Sequence, residues 1–354
     1  MTPKEVIRAV VNSQESDRLP VSWSALNVVL RQQNITLEQF YQLPAEEYAQ
    51  ISADTTRRYG GDMMAGGFNG TLAVKALGGK IKFREKGSPD VQEPLITDIA
   101  QLDKININRI KDDFHYQASY EASKHLVRLA GDEYFVSTNF WGPFTQAGLL
   151  FGAEPLMRKC LKDKEAVRRL LDFTFELIKA SSEDFIALGT GVGGLADPTS
   201  SGDMISRKIF EELSLPYLRK VYDWYHSKGL ITTLHICGNI TDRLDLIPET
   251  GAEILSLDYK VSMKTAAEIL GGKVVIGGNA DPVGVIMMGD EAAVKNAYED
   301  ILKQVEGVPY VLMAGCGIPG GTPLKNLEAM RNFAYSRAPH YNKQIEKNEK
   351  FKPI

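Results

Sequence analysis

The stretch Leu234-His235-Ile236-Cys237-Gly238 sets an imidazole and a thiol two positions apart at the end of an apolar, β-branched run. If that run is a strand, residues two apart face the same side, and His235 and Cys237 stand together at its exit. One imidazole and one thiolate suit a borderline-soft cation, zinc first. A third ligand is offered by Cys316, in Ala314-Gly315-Cys316-Gly317-Ile318-Pro319, which closes another apolar run. Taken singly, each feature has a plainer reading. His-x-Cys also describes a packed strand histidine beside a small buried hydrophobe, and Cys316 a small residue at a tight turn. Their occurrence at two strand ends, with no closer cysteine pair available, raises the metal reading to about equal weight with the plainer ones. His115, His125, His226 and His340 show no metal-ligand spacing, and Cys160 lies in a helical Arg-Lys-Cys-Leu context, so these are read as surface or core groups.

The elements that would position the trio follow from periodicity. Strands are expected at 21–26, 62–66, 134–139, 191–196, 230–236, 253–258, 273–277 and 310–314, with helical segments between them. The main helices are expected at 3–11, 45–58 (Pro44 at its first position), 112–130, 164–188, 263–270 and 290–305. Thr322-Pro323 is expected to cap a last helix, and Asp203 to cap another. Glycines at 70, 78, 79 and 87 break up 68–94, read as a β-hairpin excursion within an inserted segment, 68–98. Eight strands alternating with helices imply a single (β/α)8 barrel of TIM type over 1–354, with a doubly wound open sheet as the alternative. In such a barrel function collects at the strand ends. There the sequence places Trp23, Asn27, Phe68, Asn69, Asn139, Trp141, Asp197, His235, Cys237, Asp258, Tyr259, Asn279, Asp281 and Cys316.

Composition narrows the class. The chain has 354 residues, 44% hydrophobic and 24% charged, which suits a large folded core. A net charge of −4 gives no basic footprint for nucleic acid. Three widely spaced cysteines make no disulfide framework and point to a reducing compartment. No apolar run has the length of a membrane span, and 1–12 reads as an amphipathic helix rather than a signal peptide. A cytoplasmic location, off the membrane, is expected.

Four passages together resemble the uroporphyrinogen decarboxylase superfamily, in its corrinoid-linked zinc methyltransferase branch. They are Asp17-Arg18-Leu19-Pro20-Val21, His235-Ile236-Cys237-Gly238, Gly277-Gly278-Asn279-Ala280-Asp281-Pro282, and Gly315-Cys316-Gly317-Ile318-Pro319 with Thr322-Pro323-Leu324. The resemblance runs the length of the chain, and His-x-Cys with a distant Cys is its specific part. It implies a TIM-type barrel, with His235, Cys237 and Cys316 as zinc ligands and cobalamin supplied by a corrinoid-binding partner protein. Asp258 or Asp197 would complete the metal shell, and Asn279 joins them as a catalytic candidate.

Two chemistries use such a site. A thiol acceptor would be activated as thiolate towards methylcobalamin. A methyl ether or similar oxygen donor would be polarised while cob(I)alamin attacks its methyl carbon. The aromatics Trp23, Phe68, Phe140, Trp141 and Tyr259 slightly favour an aryl methyl ether and hence O-demethylation, although a cluster such as Phe135, Phe140, Trp141, Phe144 and Phe151 is more often core than substrate box. The decarboxylase activity is the competing reading. It calls for arginines soon after the first strand, and none stands between Arg18 and Arg31. A non-catalytic barrel with structural zinc is the last alternative, and the lack of a close cysteine pair and of a clear fourth ligand counts against it.

Overall fold

The computed structural model describes residues 1–84 and 87–338. Seven parallel strands form one sheet in chain order: β1 (Met63–Gly66), β2 (Phe135–Trp141), β3 (Val192–Ala196), β4 (Ile231–Ile236), β5 (Ile254–Leu257), β6 (Val275–Ala280) and β7 (Tyr310–Ala314). Each is joined to the next by helical chain, as parallel pairing requires. The eighth position is filled by residues 20–22. Ser22 N–H donates to Leu312 O, Leu312 N–H to Pro20 O, and Asp62 N–H to Val21 O, so this segment bridges β7 to the start of β1. The architecture is the α/β TIM-type barrel expected from the alternation.

The expected strand at 21–26 is corrected to a single bridge, Val21 with Leu312. Asp62 explains the brevity. Its carboxylate takes the Val21 N–H at 2.8 Å and is gripped by Arg18 through both guanidinium nitrogens, at 2.8 and 2.5 Å. Arg18 in turn lies over the Tyr335 ring, 4.2 Å from its centroid. Beyond this latch, Trp23 is drawn to the carbonyl of Tyr59 and the chain enters the helix Leu26–Gln32, burying Val28 and Leu30. A Cβ on Gly61 would lie 2.5 Å from the Ser22 Cα, so glycine is what lets the seam close. The Asp-Arg-Leu-Pro-Val passage therefore serves closure of the barrel.

Residues facing inward alternate with residues facing the helices, the period of two expected of strands. At the N-terminal end the barrel is plugged by the helix Pro3–Val11. Its Val10 packs on Ile254, Val275, Val311 and Met313, and its Ile7 on Phe135 and Val192. Thr2 and Glu5 form a capping box that fixes where this helix begins. The glycine pair in β3 suits both faces. A side chain on Gly193 would strike the Tyr225 ring outside, and one on Gly194 would strike Asn139 Oδ1 inside.

Other expectations are corrected here. The excursion after β1 is mostly not β: Gly70–Ala76 is a helix capped by Asn69, and the antiparallel pairing is two residues long, Ile81 with Val91 and Lys82 with Asp90. Asn69 Oδ1 accepting the Thr71 N–H outweighs the glycine at the helix start. Pro44 stands just before the helix Ala45–Tyr59 rather than inside it. Thr322 does not cap the last helix, Leu324–Tyr335; it is fully buried, and Pro323 holds the cap position. Asp203 caps nothing, because its carboxylate is paired with Lys260. His340 lies outside the described residues. Among the described residues, no helix is long and apolar enough to cross a membrane.

Candidate metal centre

His235 is the inward-facing penultimate residue of β4, and Cys237 follows the strand where the chain turns at Gly238 (φ +82°). Cys316 lies two residues past β7, across the barrel mouth. The structure brings these three together, with one donor atom from each lying within 4.8 Å of the others. His235 Nε2 is 3.2 Å from Cys237 Sγ, and the two sulfurs are 3.7 Å apart, with no disulfide between them.

The imidazole is oriented by its other nitrogen. Nδ1 lies 3.0 Å from the Ser256 carbonyl and 3.1 Å from its hydroxyl. A carbonyl can only accept, so the proton sits on Nδ1 and the Nε2 lone pair faces the sulfurs. Ser256 is level with His235 in the β4–β5 register, which makes the contact a property of the sheet.

The two thiols are driven in opposite directions. The hydrogen bond with Cys237, the largest of its causes, favours the thiolate of Cys316 and holds its pKa well below the usual thiol range. The hydrogen bond with Cys316, with burial and the charges of Cys316 and Asp258 behind it, pushes Cys237 well above its usual range. A cation between the sulfurs would replace the proton they share and let both stand as thiolates. The donor set fits zinc: a tetrahedral ion at ~2.3 Å from sulfur spaces two sulfurs by about 3.8 Å.

The expected carboxylates stand differently. Asp197 is fully buried; its Oδ1 takes the Thr145 N–H at 2.6 Å and its Oδ2 the Ser200 hydroxyl at 2.9 Å. It ties the loops after β2 and β3 together and does not join the trio. Asp258 is nearer but engaged: Oδ2 accepts from Gly238 N–H at 2.8 Å and Oδ1 from Lys260 N–H at 2.9 Å. It holds the turn that carries Cys237. Asn279 donates from Nδ2 to the carbonyls of Asp258 and Val261, at 3.0 and 2.7 Å. That braces the same loop from β6. Gly315 completes the packing, since a Cβ there would lie 2.6 Å from Tyr259 N. Asp258 and Asn279 thus brace the loop that carries Cys237, while the Asp197 carboxylate is engaged by Thr145 and Ser200.

A cavity of about 160 Å³ lies within the barrel and reaches Ser52, Thr55 and Thr56 of the helix Ala45–Tyr59; none of the trio lines it. Its walls include Ser22, Trp23, Ala65, Ser137, Asn139 and Thr233, and its floor Met63 and Val192. Thr233 is two residues before His235 on the same face of β4, ~7 Å along the strand. Sequence reading named Trp23 and Asn139 but missed Ser137, Thr233 and Ser256. The signal for them is polarity at alternate positions inside otherwise apolar strands. The aromatic rim does not form as expected: Phe68 and Phe140 are 1% and 5% exposed, packed among the helices, and Trp141 is turned to the Thr71 hydroxyl.

The family model described as Uroporphyrinogen decarboxylase (URO-D) matches residues 2–337. The chain belongs to the uroporphyrinogen decarboxylase family. Within it, a protein named methylcobamide:CoM methyltransferase MtbA from Methanosarcina mazei is 29% identical over 348 residues, 94% of this chain and 99% of its own length. The protein of the same name from Methanosarcina acetivorans is 28% identical over the same shares. A solved structure titled methyltransferase from Methanosarcina mazei superposes with a TM-score of 0.85 over 95% of this chain and 99% of its own, at 22% identity, which speaks for the fold.

Proposed function

We propose that this family member is a corrinoid-dependent methyltransferase that moves a methyl group from the methylcobamide of a partner corrinoid protein to a small thiol. The observation that carries the reading is the convergence of His235 Nε2 and the sulfurs of Cys237 and Cys316 at the barrel mouth. Zinc held by these residues would lower the pKa of a bound thiol, supplying a thiolate nucleophile at neutral pH. The chain's own part is to present three donors and leave one tetrahedral position for the substrate. Ser256 sets the imidazole tautomer, and Asp258 with Asn279 fixes the Cys237 turn. Full-length relatives named for methylcobamide and CoM support the acceptor-side direction.

An aryl methyl ether donor loses its main support with the burial of Phe68 and Phe140. Uroporphyrinogen decarboxylation is disfavoured because no arginine stands between Arg18, which is committed to Asp62, and Arg31, and a polycarboxylate without cationic partners is costly to enclose. The experiment follows the cobalt spectrum. Methylcobalamin is expected to disappear only when a thiol is added. Formation of methylcobalamin from cob(I)alamin and methanol, a methylamine or a methoxyarene would put the protein on the donor side instead. Metal-free activity on uroporphyrinogen would overturn both.

A further inference from the structure

We infer that Lys260 is a specificity-determining residue for a thiol that carries an anion, sulfonate or carboxylate, on a short chain. Asp203 is the counter-ion that Lys260 leaves when such a substrate binds. The inference rests on the methyl-transfer reading above and adds to it the residue that selects the acceptor. Lys260 belongs to the turn that carries Cys237. Its backbone N–H donates to Asp258 Oδ1 at 2.9 Å, while Asp258 Oδ2 takes the N–H of Gly238, the residue after Cys237, at 2.8 Å. The side chain ends on the loop after β3, with its ammonium 3.0 Å from Asp203 Oδ2. That oxygen stands 2.4 Å from where a Cβ on Gly238 would be, with Ser201 Oγ at 2.6 Å from the same point. Glycine at 238 thus lets the ion pair lie directly against the turn next to a metal-ligand candidate.

The pair is built to exchange. Both side chains are 47% exposed, where an ion pair contributes little, so the lysine can leave at small cost. Asp203 is not stranded by its departure, because it keeps the Asn239 N–H at 3.4 Å and its contact with water. The ammonium is a point charge on a flexible stem and can turn from one acid group to another. Charge balance at the mouth gives it that task. Two cysteine thiolates and a substrate thiolate outweigh one divalent cation, so a further anion on the substrate needs a positive group close by. Arg243 cannot serve: it is fully buried and given to the carbonyls of Ser200 and Ile205 and to Asp242. Arg31, which packs on Gly320 and Gly321 beyond Cys316, is the competing cation.

The test uses 2-mercaptoethanesulfonate, 3-mercaptopropionate and the neutral 2-mercaptoethanol, with methylcobalamin as methyl source. In the step followed, the thiol loses its proton to solvent, an S–CH3 bond forms, and the Co–CH3 bond breaks with its electron pair left on cobalt. The readout is the ratio of kcat/KM for an anionic thiol to that for the neutral one. It is expected to be about tenfold in the wild type, carried by KM, and to fall to about one in Lys260→Met while Lys260→Arg keeps most of it. Asp203→Asn should raise it about threefold, since the competing carboxylate is gone. Both Lys260→Met and Asp203→Asn break the ion pair, so a pair with a structural role alone would move the ratio the same way in each. That outcome overturns the inference, as does a ratio unmoved in Lys260→Met, one lost in Arg31→Gln instead, or loss of bound zinc in Lys260→Met. Calorimetric titration of the three thiols into each zinc-loaded variant reads binding without turnover. Sulfonate or carboxylate binding that weakens about tenfold in Lys260→Met, with no methylcobalamin consumed, would remove the methyl-transfer reading and leave the Lys260 assignment standing. Failure of both anionic thiols to bind overturns the inference.

Discussion

His235 and Ser256 face each other across neighbouring strands, with the imidazole Nδ1 3.0 Å from the Ser256 carbonyl oxygen. The contact fixes both ring orientation and tautomer, and it does so through backbone that substitution cannot remove. Ser256→Ala should therefore retain the bound metal at full stoichiometry, with an affinity loss no greater than about tenfold. Competition with a chromogenic chelator measures this. Loss of the metal would mean that the hydroxyl, not the carbonyl, orients the ring.

The trio itself predicts a stoichiometry. The purified protein should carry about one zinc per chain, and Cys237→Ala or Cys316→Ala should each abolish it, read by elemental analysis. Retention of full metal in both variants would falsify the ligand set.

Asp258 uses both oxygens on backbone N–H groups, one of them Gly238 beside Cys237. Asp258→Asn replaces one acceptor by a donor facing a donor. Metal affinity should fall by about 10- to 100-fold, with a parallel loss of methyl transfer. Unchanged affinity would show that the turn stands without the carboxylate.

Arg18 and Asp62 form a buried pair at the barrel seam. Arg18→Ala strands a carboxylate that burial already pushes towards protonation, so a loss of about 3–5 kcal/mol is expected in chemical denaturation. The double variant Arg18→Met with Asp62→Leu should lose less than Arg18→Ala alone. A single variant as stable as wild type would remove the latch from the account of closure.

Asp113 supplies the pH-dependent term. Burial opposes its ionisation, but hydrogen bonds from His115 and Lys75 prevail and hold its carboxyl well below the usual range. A depressed folded-state value means stability that is present above the unfolded pKa, near 3.9, and lost as pH falls through the folded one. Asp113→Asn, which keeps a capping oxygen, should cost on the order of 1 kcal/mol at pH 7, and the gap should close below pH 4. A gap that does not narrow between pH 4 and pH 2 would assign the effect to packing.

The sequence by itself determined the barrel, because alternating apolar runs and helical segments admit few other arrangements, and β7 falls at the expected residues, 310–314. It also determined which side chains could ligate a metal, since His235 and Cys237 need only the strand period to share a face. What it could not contain is anything set by partners distant in the chain. Val21 reads as the start of a strand until Asp62, 41 positions later, takes its N–H. Asp197 and Asp258 read alike as free carboxylates at strand ends, and only the folded loops engage one with Thr145 and Ser200 and the other with Gly238 and Lys260. Phe68 and Phe140 read as a rim until the helices cover them. The tertiary structure decided how close the Cys237 and Cys316 sulfurs come, 3.7 Å, because that distance is set by strand register and the packing of three loops around Gly315 rather than by any local preference of the chain.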